Sequence, residues 1–375
     1  MEASVNKTSK LLFINSLDKR YGSTYRFRNL FSLVKKRGFE ATYVESNCED
    51  FEGAVSVSQK DSLLGYLLAT IKRTLLCFKL DYDILVVQKF IPLTVPCILA
   101  AKLGGKRVIV DWDDIDTSLQ SDIFRKTATF LCETFAPLLA ETITTHSLNI
   151  ADLAQKRFRK KAFIIDQGVD FSLFDPAKYS SDDLKASRGL TDRFVLGYLC
   201  TLTHGGSKDI DIILIAFREA LKMNPNLLLL IIGGGPREAA IRNLVGSLGI
   251  EKNMLITGLV PQNMVPGYIS MCDISLVYMR DDEGNRARVS FKVLESLAMN
   301  RTVLGHLVGE TDQRFGKYIK DVGRDIINFK KMILDNSKGK LPSENSRDEL
   351  LNIYSWEKIG DNFARLIGVQ DNLRD

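Results

Sequence analysis

Short apolar segments alternate with amphipathic segments of helical period along almost the whole chain, and this alternation limits the fold more than any other feature of the sequence. The apolar segments include residues 10–15, 83–87, 107–110 and 227–232. Apart from polar residues at their ends they are apolar without a break, which is typical of parallel strands that are covered on both faces. Strands that alternate with helices predict parallel βαβ units, so we expect an α/β fold.

The alternation lapses once, and the lapse predicts a connection between two domains. Residues 166–190 include the polar run 178–183, and a new series of strands and helices begins at 194–197. A chain of 375 residues is long enough for two domains of ordinary size. We therefore predict two Rossmann-like, doubly wound domains, residues 1–175 and 176–354, that face a central cleft in which a ligand binds.

Composition excludes several classes of protein. Apolar residues make up 45% of the chain and charged residues 26%, values that are typical of a globular protein. No stretch reaches the roughly 18 uninterrupted apolar residues of a membrane span, and the polar start of the sequence argues against a signal peptide. Six scattered cysteines indicate reduced thiols, and three histidines argue against a histidine-rich metal site. We therefore expect a cytoplasmic protein.

Positive charge is concentrated in the first third of the chain. Residues 1–110 hold 17 Lys and Arg against 10 Asp and Glu, a net charge of +7. The remainder holds 34 against 36, a net charge of −2. This asymmetry indicates an anionic partner, either a phosphate ligand or an anionic membrane face. The alternative is that the asymmetry has no functional meaning.

Residues 290–298 are the most informative segment for function, and they follow the charged loop 281–288. On a helix, Lys292 and Glu295 share one face near the N-terminus. There the free N–H groups of the helix, together with Arg288 and Lys292, attract a phosphate. A carboxylate one turn further along can accept two hydrogen bonds from a sugar diol. The alternative is an ordinary surface pair of Lys and Glu.

This helix resembles that of the retaining glycosyltransferases of the GT-B fold, specifically the large family 4. Their hallmark is a Glu, seven further residues and a second Glu that opens onto a Leu/Met-Ala stretch. Glu295 stands at the second Glu, whereas Ala287 stands at the first. The resemblance implies that Glu295 holds the ribose hydroxyls of a nucleotide sugar. It leaves Arg286, Arg288 or Glu283 to replace the first Glu.

Further matches to this family are spread along the chain, at residues 165–176, 197–208, 231–236, 257–261, 265–268, 308–311 and 354–357. The resemblance implies that Lys208 grips the donor diphosphate and that the backbone of 257–261 pairs with the nucleotide base. It also implies that a C-terminal helix, residues 355–375, crosses back to the first domain. His204 either caps a helix or contacts phosphate. A dinucleotide-binding fingerprint is excluded, because Glu238 stands where its third glycine is needed.

Two segments of the first domain match the family's substrate loops. Residues 21–24 take the place of a flexible glycine loop, with Gly22 followed by Ser23. Asp113 and Asp114 stand where the family often has His-Asp at a strand end. Carboxylates clustered there repel one another, so we expect a raised pKa or a basic neighbour. Asp113 or Asp114 then orients the donor sugar or receives the acceptor proton. The alternative is helix capping by Asp114 or Asp116.

The resemblance implies a retaining glycosyltransferase that moves a sugar from a nucleotide-diphosphate sugar to an acceptor by front-face substitution, with no metal or other cofactor. The implied catalytic residues are Asp113, Asp114, Lys208 and Glu295. The implied donor-binding residues are Gly22, Ser23, Thr203, His204, Lys208, Gly233, Gly235, Val260, Arg288, Phe291, Lys292, Leu294 and Glu295. The alternatives are a nucleotide-sugar epimerase of the same fold and a catalytically silent sugar-nucleotide binder or partner subunit.

Two segments bear on the acceptor. Residues 63–79 form a long apolar stretch with basic residues late in it, which we interpret as a core helix. The alternative is a helix that rests on an anionic bilayer surface. Residues 155–161 form a basic cluster suited to lipid phosphates, and no motif indicates nucleic-acid binding. We therefore expect a glycan or lipid-linked acceptor of the cell envelope, and a peripheral position at the inner face of the membrane.

Overall fold

The chain divides into two compact units in a computed structural model that describes residues 9–19, 21–339 and 346–371. The first unit runs through Gln167 and takes up the chain again from Trp356, and the second unit is Gly168–Ser355. The first unit therefore ends before the boundary expected at residue 175. The reason is that Val169, Phe171 and Phe174 are buried in the hydrophobic core of the second unit.

The first unit contains a parallel sheet of seven strands in the order β3-β2-β1-β4-β5-β6-β7. The strands are β1 (Leu11–Ile14), β2 (Ala41–Ser46), β3 (Ala54–Val57), β4 (Ile84–Gln88), β5 (Arg107–Asp111), β6 (Thr142–Thr145) and β7 (Ala162–Ile164). The connecting helices are α1 (Gly22–Lys36), α2 (Leu63–Lys79), α3 (Val95–Leu103), α4 (Ile123–Phe135) and α5 (Leu148–Phe158). Every residue of β1, β4 and β5 is buried, as the unbroken apolar runs predict.

The second unit contains a parallel sheet of six strands in the order β10-β9-β8-β11-β12-β13. The strands are β8 (Phe194–Leu199), β9 (Leu227–Ile232), β10 (Met254–Ile256), β11 (Ile274–Tyr278), β12 (Thr302–His306) and β13 (Lys320–Asp321). The helices are α6 (Ser181–Ala186), α7 (Ile210–Leu221), α8 (Glu238–Leu248), α9 (Val265–Ser270), α10 (Glu283–Arg286), α11 (Phe291–Ala298), α12 (Gly309–Phe315), α13 (Ile326–Asn336) and α14 (Arg347–Tyr354). Parallel sheets with helical crossovers confirm the α/β prediction.

The last helix, α15 (Trp356–Asp371), belongs to the first unit. It begins one residue after the predicted start at 355 and packs along α1, where Gly360 comes against Leu33. Phe363 is fully buried and its ring centre lies 6.4 Å from that of Phe13 in β1. The core of the first unit is therefore completed by residues from the far end of the sequence.

A buried ion pair fixes α1 against the sheet of the first unit. The Arg26 guanidinium donates to both carboxylate oxygens of Asp111, at 2.8 and 3.0 Å. It also donates to the carbonyl oxygens of Ile165 and Asp166, each at 2.7 Å. Burying charge is costly unless hydrogen bonds surround it. The four contacts therefore anchor the start of α1 to the end of β5 and to the segment after β7.

The helix predicted over residues 63–79 is present as α2, but the interpretation of its apolar stretch as core is wrong. Its buried residues are Gly65, Ala69, Thr70, Arg73 and Cys77, most of them small. The leucines lie on the other side, and Leu64 and Leu67 expose 65% and 55% of their surface. Small side chains bring the helix close to its neighbours, so the large ones face outward. None of the helices in the described residues has the length and hydropathy to span a bilayer.

Candidate functional site

The strand order of the second unit locates a crevice. The order reverses between β8 and β11, so the segments that leave their carboxyl ends diverge and leave space between them. A small pocket lies there. It is lined by Tyr198, Gly205, Gly206, Lys208, Asp209, Val277, Tyr278, Met279, Asn285, Arg288, Ser290 and Lys292. Three cations that the sequence predicts to hold a diphosphate, Lys208, Arg288 and Lys292, are therefore brought together.

Lys208 is held by a carboxylate on the opposite side of this crevice. Its ammonium donates to both oxygens of Asp282, at 2.8 and 2.7 Å. The same carboxylate accepts from the backbone N–H of Asn285 and so caps α10, a short helix within the predicted loop 281–288. Burial alone would raise the pKa of Asp282. The Lys208 ammonium and the Asn285 amide together have the larger effect, so the pKa of Asp282 is lowered. Asp282 is therefore an internal counter-ion where a phosphate is expected.

Asp209 ties the two sides of the crevice together. Its carboxylate accepts from the backbone N–H of Arg280 at 3.2 Å and from the side-chain amide of Asn285 at 3.0 Å. The Arg280 guanidinium also binds the Asp211 carboxylate at 2.5 Å. Asp209 is buried, so these contacts fix the loop after β8 against the loop after β11.

Arg288 and Lys292 approach the crevice from the segment that leads into α11. A guanidinium nitrogen of Arg288 lies 3.4 Å from the Gly205 carbonyl oxygen, and the Arg288 carbonyl accepts from the Thr311 hydroxyl at 2.6 Å. The Lys292 ammonium lies 4.8 Å from the centre of the Tyr198 ring. Burial lowers the pKa of Lys292. An anion in the crevice would satisfy this partly desolvated ammonium.

Glu295 lies one turn after Lys292 on α11, as the spacing predicts, but the two do not form the ordinary surface pair that was the alternative. Glu295 is 9% exposed, and its carboxylate accepts from the Gln262 side-chain amide at 2.8 Å. Burial raises the pKa of Glu295 to about 7. A buried carboxylate with one amide donor has unused acceptor capacity, which a diol could fill.

The glycine run after β9 brings three turns together. A Cβ on Gly233 would lie 2.0 Å from the Cys200 carbonyl oxygen, and one on Gly235 would lie 2.7 Å from that of Leu202. The Gly233 N–H donates to the Thr257 hydroxyl at 3.0 Å. Val260 follows in the turn after β10 and packs against the core. The lack of a side chain at Gly233 and Gly235 therefore allows their backbone to pack closely against other backbone segments of the protein.

The remaining residues predicted to bind the donor have separate environments. The Thr203 hydroxyl accepts from the Gly206 N–H at 3.0 Å and shapes the turn before α7. His204 is exposed in this turn, and because Asp209 is the residue that precedes α7, the prediction that His204 caps a helix is wrong. Phe291 begins α11 and is partly exposed, whereas Leu294 is fully buried in the core. Only the backbone of Leu294 can therefore contribute to the site.

In the first unit, Asp113 and Asp114 surround a buried lysine at the carboxyl end of β5. The Lys89 ammonium lies 2.7 Å from an Asp113 oxygen and 3.1 Å from oxygens of Asp114 and Asp116. Burial raises the pKa of Asp113 and of Asp116, and Lys89 opposes the shift in both. The predicted basic neighbour and raised pKa are therefore both present. The 3-10 helix at 116–119 begins without a side-chain cap, so the capping alternative is wrong for Asp116.

Gly22 and Ser23 are the first residues of α1 rather than part of a loop. The Ser23 carbonyl oxygen accepts from the side-chain amide of Gln88, the last residue of β4, at 2.8 Å. The first turn of α1 is thereby placed beside the end of β4. The order of strands also reverses between β1 and β4, so these residues and Asp113 lie at the corresponding edge of the first sheet.

Sequence reasoning missed three polar residues that position the candidates: Lys89, Gln262 and Asp282. Lys89 follows an apolar strand directly, and a charge at that place is a signal that could have been used. Asp282 lies in a loop noted only for its charge, and nothing in the sequence links it to Lys208.

Among the residues that the structure describes, His, Cys, Asp and Glu form no group that could hold a metal ion.

Comparison with known proteins shows that part of the chain is similar to a known family. Residues 193–320 match the model of the family described as glycosyl transferases group 1. Alpha-D-kanosaminyltransferase of Streptomyces kanamyceticus is 23% identical over 167 residues, which are 42% of either chain. A GDP-mannose-dependent alpha-(1-6)-phosphatidylinositol monomannoside mannosyltransferase of Mycolicibacterium smegmatis is 28% identical over 107 residues, which are 28% of either chain. The chain thus matches less than half the length of these curated relatives.

A solved structure matches almost the whole chain. The crystal structure of HepE from Anabaena in complex with UDP and glucose has a TM-score of 0.77 to this chain at 14% sequence identity. The match covers 96% of this chain and 100% of that one. A likeness at so low an identity concerns the fold alone, and it agrees with the two parallel sheets. Residues 193–320 are therefore similar to the glycosyl transferases group 1 family, and the chain has the GT-B fold.

Proposed function

We propose that this chain is a retaining, metal-independent glycosyltransferase that takes a sugar from a nucleotide-diphosphate sugar and transfers it to a glycan or lipid-linked acceptor. The observation that carries the proposal is the crevice of the second unit, in which Lys208, Arg288 and Lys292 converge beside the start of α11. Three cations beside a helix N-terminus suit a diphosphate. The relatives support this donor class, since one is named for GDP-mannose and HepE was crystallised with UDP and glucose.

Lys208 changes partner when the donor binds. Its ammonium is paired with the Asp282 carboxylate in the structure. A diphosphate in the crevice replaces that carboxylate and leaves Asp282 to its second role as the cap of α10. During transfer the bond between the sugar and the diphosphate breaks, and negative charge grows on the leaving phosphate. Lys208, Arg288 and Lys292 stabilise that charge, which is the step on which catalysis depends.

Glu295 binds the ribose of the donor in this proposal. Its carboxylate is buried, already oriented by Gln262, and able to accept two hydroxyl hydrogen bonds. In the first unit, Asp113 or Asp114 orients the donor sugar or receives the acceptor proton. Lys89 holds both carboxylates in place and compensates part of their charge.

A panel of nucleoside diphosphates tests the donor site. Binding to the folded chain raises its melting temperature, so we expect UDP, GDP or ADP to raise it and the other two to have less effect. Lys208→Ala and Lys292→Ala should each reduce the shift. Lys222→Ala is the matched control, since Lys222 follows the last residue of α7, is exposed and is paired with Glu219. No response to any of the three nucleotides would contradict the proposed site.

Turnover separates an enzyme from a silent binder. With the sugar nucleotide of the preferred base, we expect donor hydrolysis or transfer that falls by about 10²–10³ in kcat for Lys208→Ala, because one charge-stabilising donor is lost. Glu295→Ala should raise KM more than it lowers kcat. Lys222→Ala should leave both unchanged. A nucleotide-dependent melting shift without turnover would favour the silent binder, and formation of an epimeric sugar nucleotide would favour an epimerase.

A further inference from the structure

One side of the first unit carries large apolar side chains that are exposed in the part of the chain that the structure describes. On α2 they follow a helical stripe of Leu64, Leu67, Ile71, Leu75 and Phe78, which expose 46–65% of their surface. Soluble proteins rarely leave a contiguous apolar patch of this size uncovered. A stripe of five large side chains therefore indicates that something else covers it.

The neighbouring helix α4 continues this side. Phe124 and Phe135, near its two ends, expose 82% and 62% of their surface, and Leu131 exposes 49%. The guanidinium of Arg125 lies 5.7 Å from the centre of the Tyr66 ring, so the first turns of α4 and α2 are adjacent. We call the exposed apolar and basic residues of the two helices the α2/α4 face.

The exposed charges on the two helices themselves are all positive, whereas the carboxylates of Asp61 and Asp122 lie just before the helices. The exposed cations of the face are Lys72, Lys79, Arg125 and Lys126. The single carboxylate on the two helices, Glu133, is buried and accepts from the backbone of the 3-10 helix at 116–119. A surface of large apolar groups with interspersed lysine and arginine is complementary to the interface of an anionic membrane.

We propose that the α2/α4 face docks on an anionic phospholipid bilayer, with its leucines and phenylalanines in the upper acyl region and its cations at the headgroup phosphates. A second copy of the chain fits this face less well. A symmetric dimer brings the same patch of both copies together, and the four cations would then oppose four others. The inference does not depend on sugar transfer, because vesicle binding needs no nucleotide.

Vesicle flotation of the full chain tests the proposal. We expect binding to vesicles of equal phosphatidylglycerol and phosphatidylcholine in 50 mM salt, and weaker binding in 500 mM salt or to pure phosphatidylcholine. Removing three cations in Lys72→Gln/Lys79→Gln/Lys126→Gln should weaken binding by about 100-fold. Leu64→Gln/Phe124→Gln should weaken it as well, because apolar insertion is lost.

The control places the same change on another exposed surface. Met223→Gln/Ile327→Gln alters side chains of the second unit that expose 67% and 69% of their surface, and it should leave flotation unchanged. All altered residues are exposed, so melting temperatures and nucleotide shifts should match those of the parent chain.

Two results would overturn the proposal. One is no flotation with anionic vesicles at low salt. The other is a dimer in sedimentation that Leu64→Gln/Phe124→Gln dissociates, which would assign the face to a second copy.

Discussion

Glu295 carries a testable consequence of its burial. Burial raises its pKa from 4.5 to about 7, so between these values the folded chain keeps a proton that the unfolded chain has released. The free energy of unfolding therefore falls as the pH rises from about 4.5 to 7. Glu295→Gln removes this loss. We expect the free energy of unfolding of the variant to exceed that of the parent chain by up to about 3 kcal/mol at pH 8. At pH 5 the difference should be much smaller.

Urea denaturation at the two pH values measures this difference. Glu251→Gln, at an exposed position of the second unit, should give the same difference from the parent at both. An equal effect of Glu295→Gln at pH 5 and pH 8 would mean that the carboxyl is not held in its raised-pKa environment.

At the residue scale, the sequence identifies the charges of the second-unit crevice but not their partners. Lys208, Arg288 and Lys292 could be named because their segments resemble a family motif, and they do line one crevice. Asp282, which binds Lys208, is 74 positions away in the sequence. No local pattern records such a pairing, because it depends on how β8 and β11 lie side by side. The buried Lys89 differs, because its place directly after an apolar strand is a local signal.

At the element scale, Gly309 controls how the segment before α11 is held. It begins α12 with a φ of +57°, and a Cβ there would lie 2.1 Å from the Arg286 carbonyl oxygen. Two residues later, the Thr311 hydroxyl donates to the Arg288 carbonyl oxygen at 2.6 Å. Gly309→Ala must push the Arg286–Arg288 backbone away and displace the Arg288 guanidinium. We expect at least a tenfold loss of nucleotide affinity by calorimetry, with the nucleotide that the melting panel selects.

The control for this substitution is Gly323→Ala. Gly323 has a similar φ of +64°, but the space around its Cβ position is open. Both variants therefore share the cost of placing alanine in the left-handed region. Gly323→Ala should lower the melting temperature and leave the nucleotide affinity unchanged. An equal loss of nucleotide affinity in both variants would show that Gly309 has no specific effect on the Arg288 segment.

Helix α2 shows what periodicity can and cannot tell about an element. Its apolar residues recur at helical spacing, and that pattern predicts the helix over residues 63–79 correctly. The same pattern suggests that the leucines face the core, yet the opposite side is buried. Gly65, Ala69, Arg73 and Cys77 recur every four residues on that side, and the small ones among them allow close packing. Hydrophobic periodicity ranks faces by apolar content, so it favours the leucines over a side made of small residues.

At the scale of the whole molecule, the sequence predicts two α/β units and the return of the last helix to the first unit. The residue at which the chain passes between units is less well predicted, since the boundary lies at Gln167 and not at 175. The polar run that marks the connection is part of the second unit, and Phe171 and Phe174 before it are already core residues there. A composition shift marks a surface segment, and a surface segment need not be a boundary.

The return of α15 allows the stability of the two units to be tested separately. Phe363 in α15 and Phe217 in α7 are both fully buried, the first in the core of the first unit and the second in that of the second unit. Truncation of a buried phenylalanine to alanine costs about 3–5 kcal/mol.

In calorimetry we expect two unfolding transitions, and the selected nucleoside diphosphate should raise the melting temperature of the second unit's transition only. Phe363→Ala should lower the other transition by about 10 °C, whereas Phe217→Ala should lower the nucleotide-sensitive one. If Phe363→Ala lowered the nucleotide-sensitive transition instead, the assignment of α15 to the first unit, or of the nucleotide to the second, would be wrong.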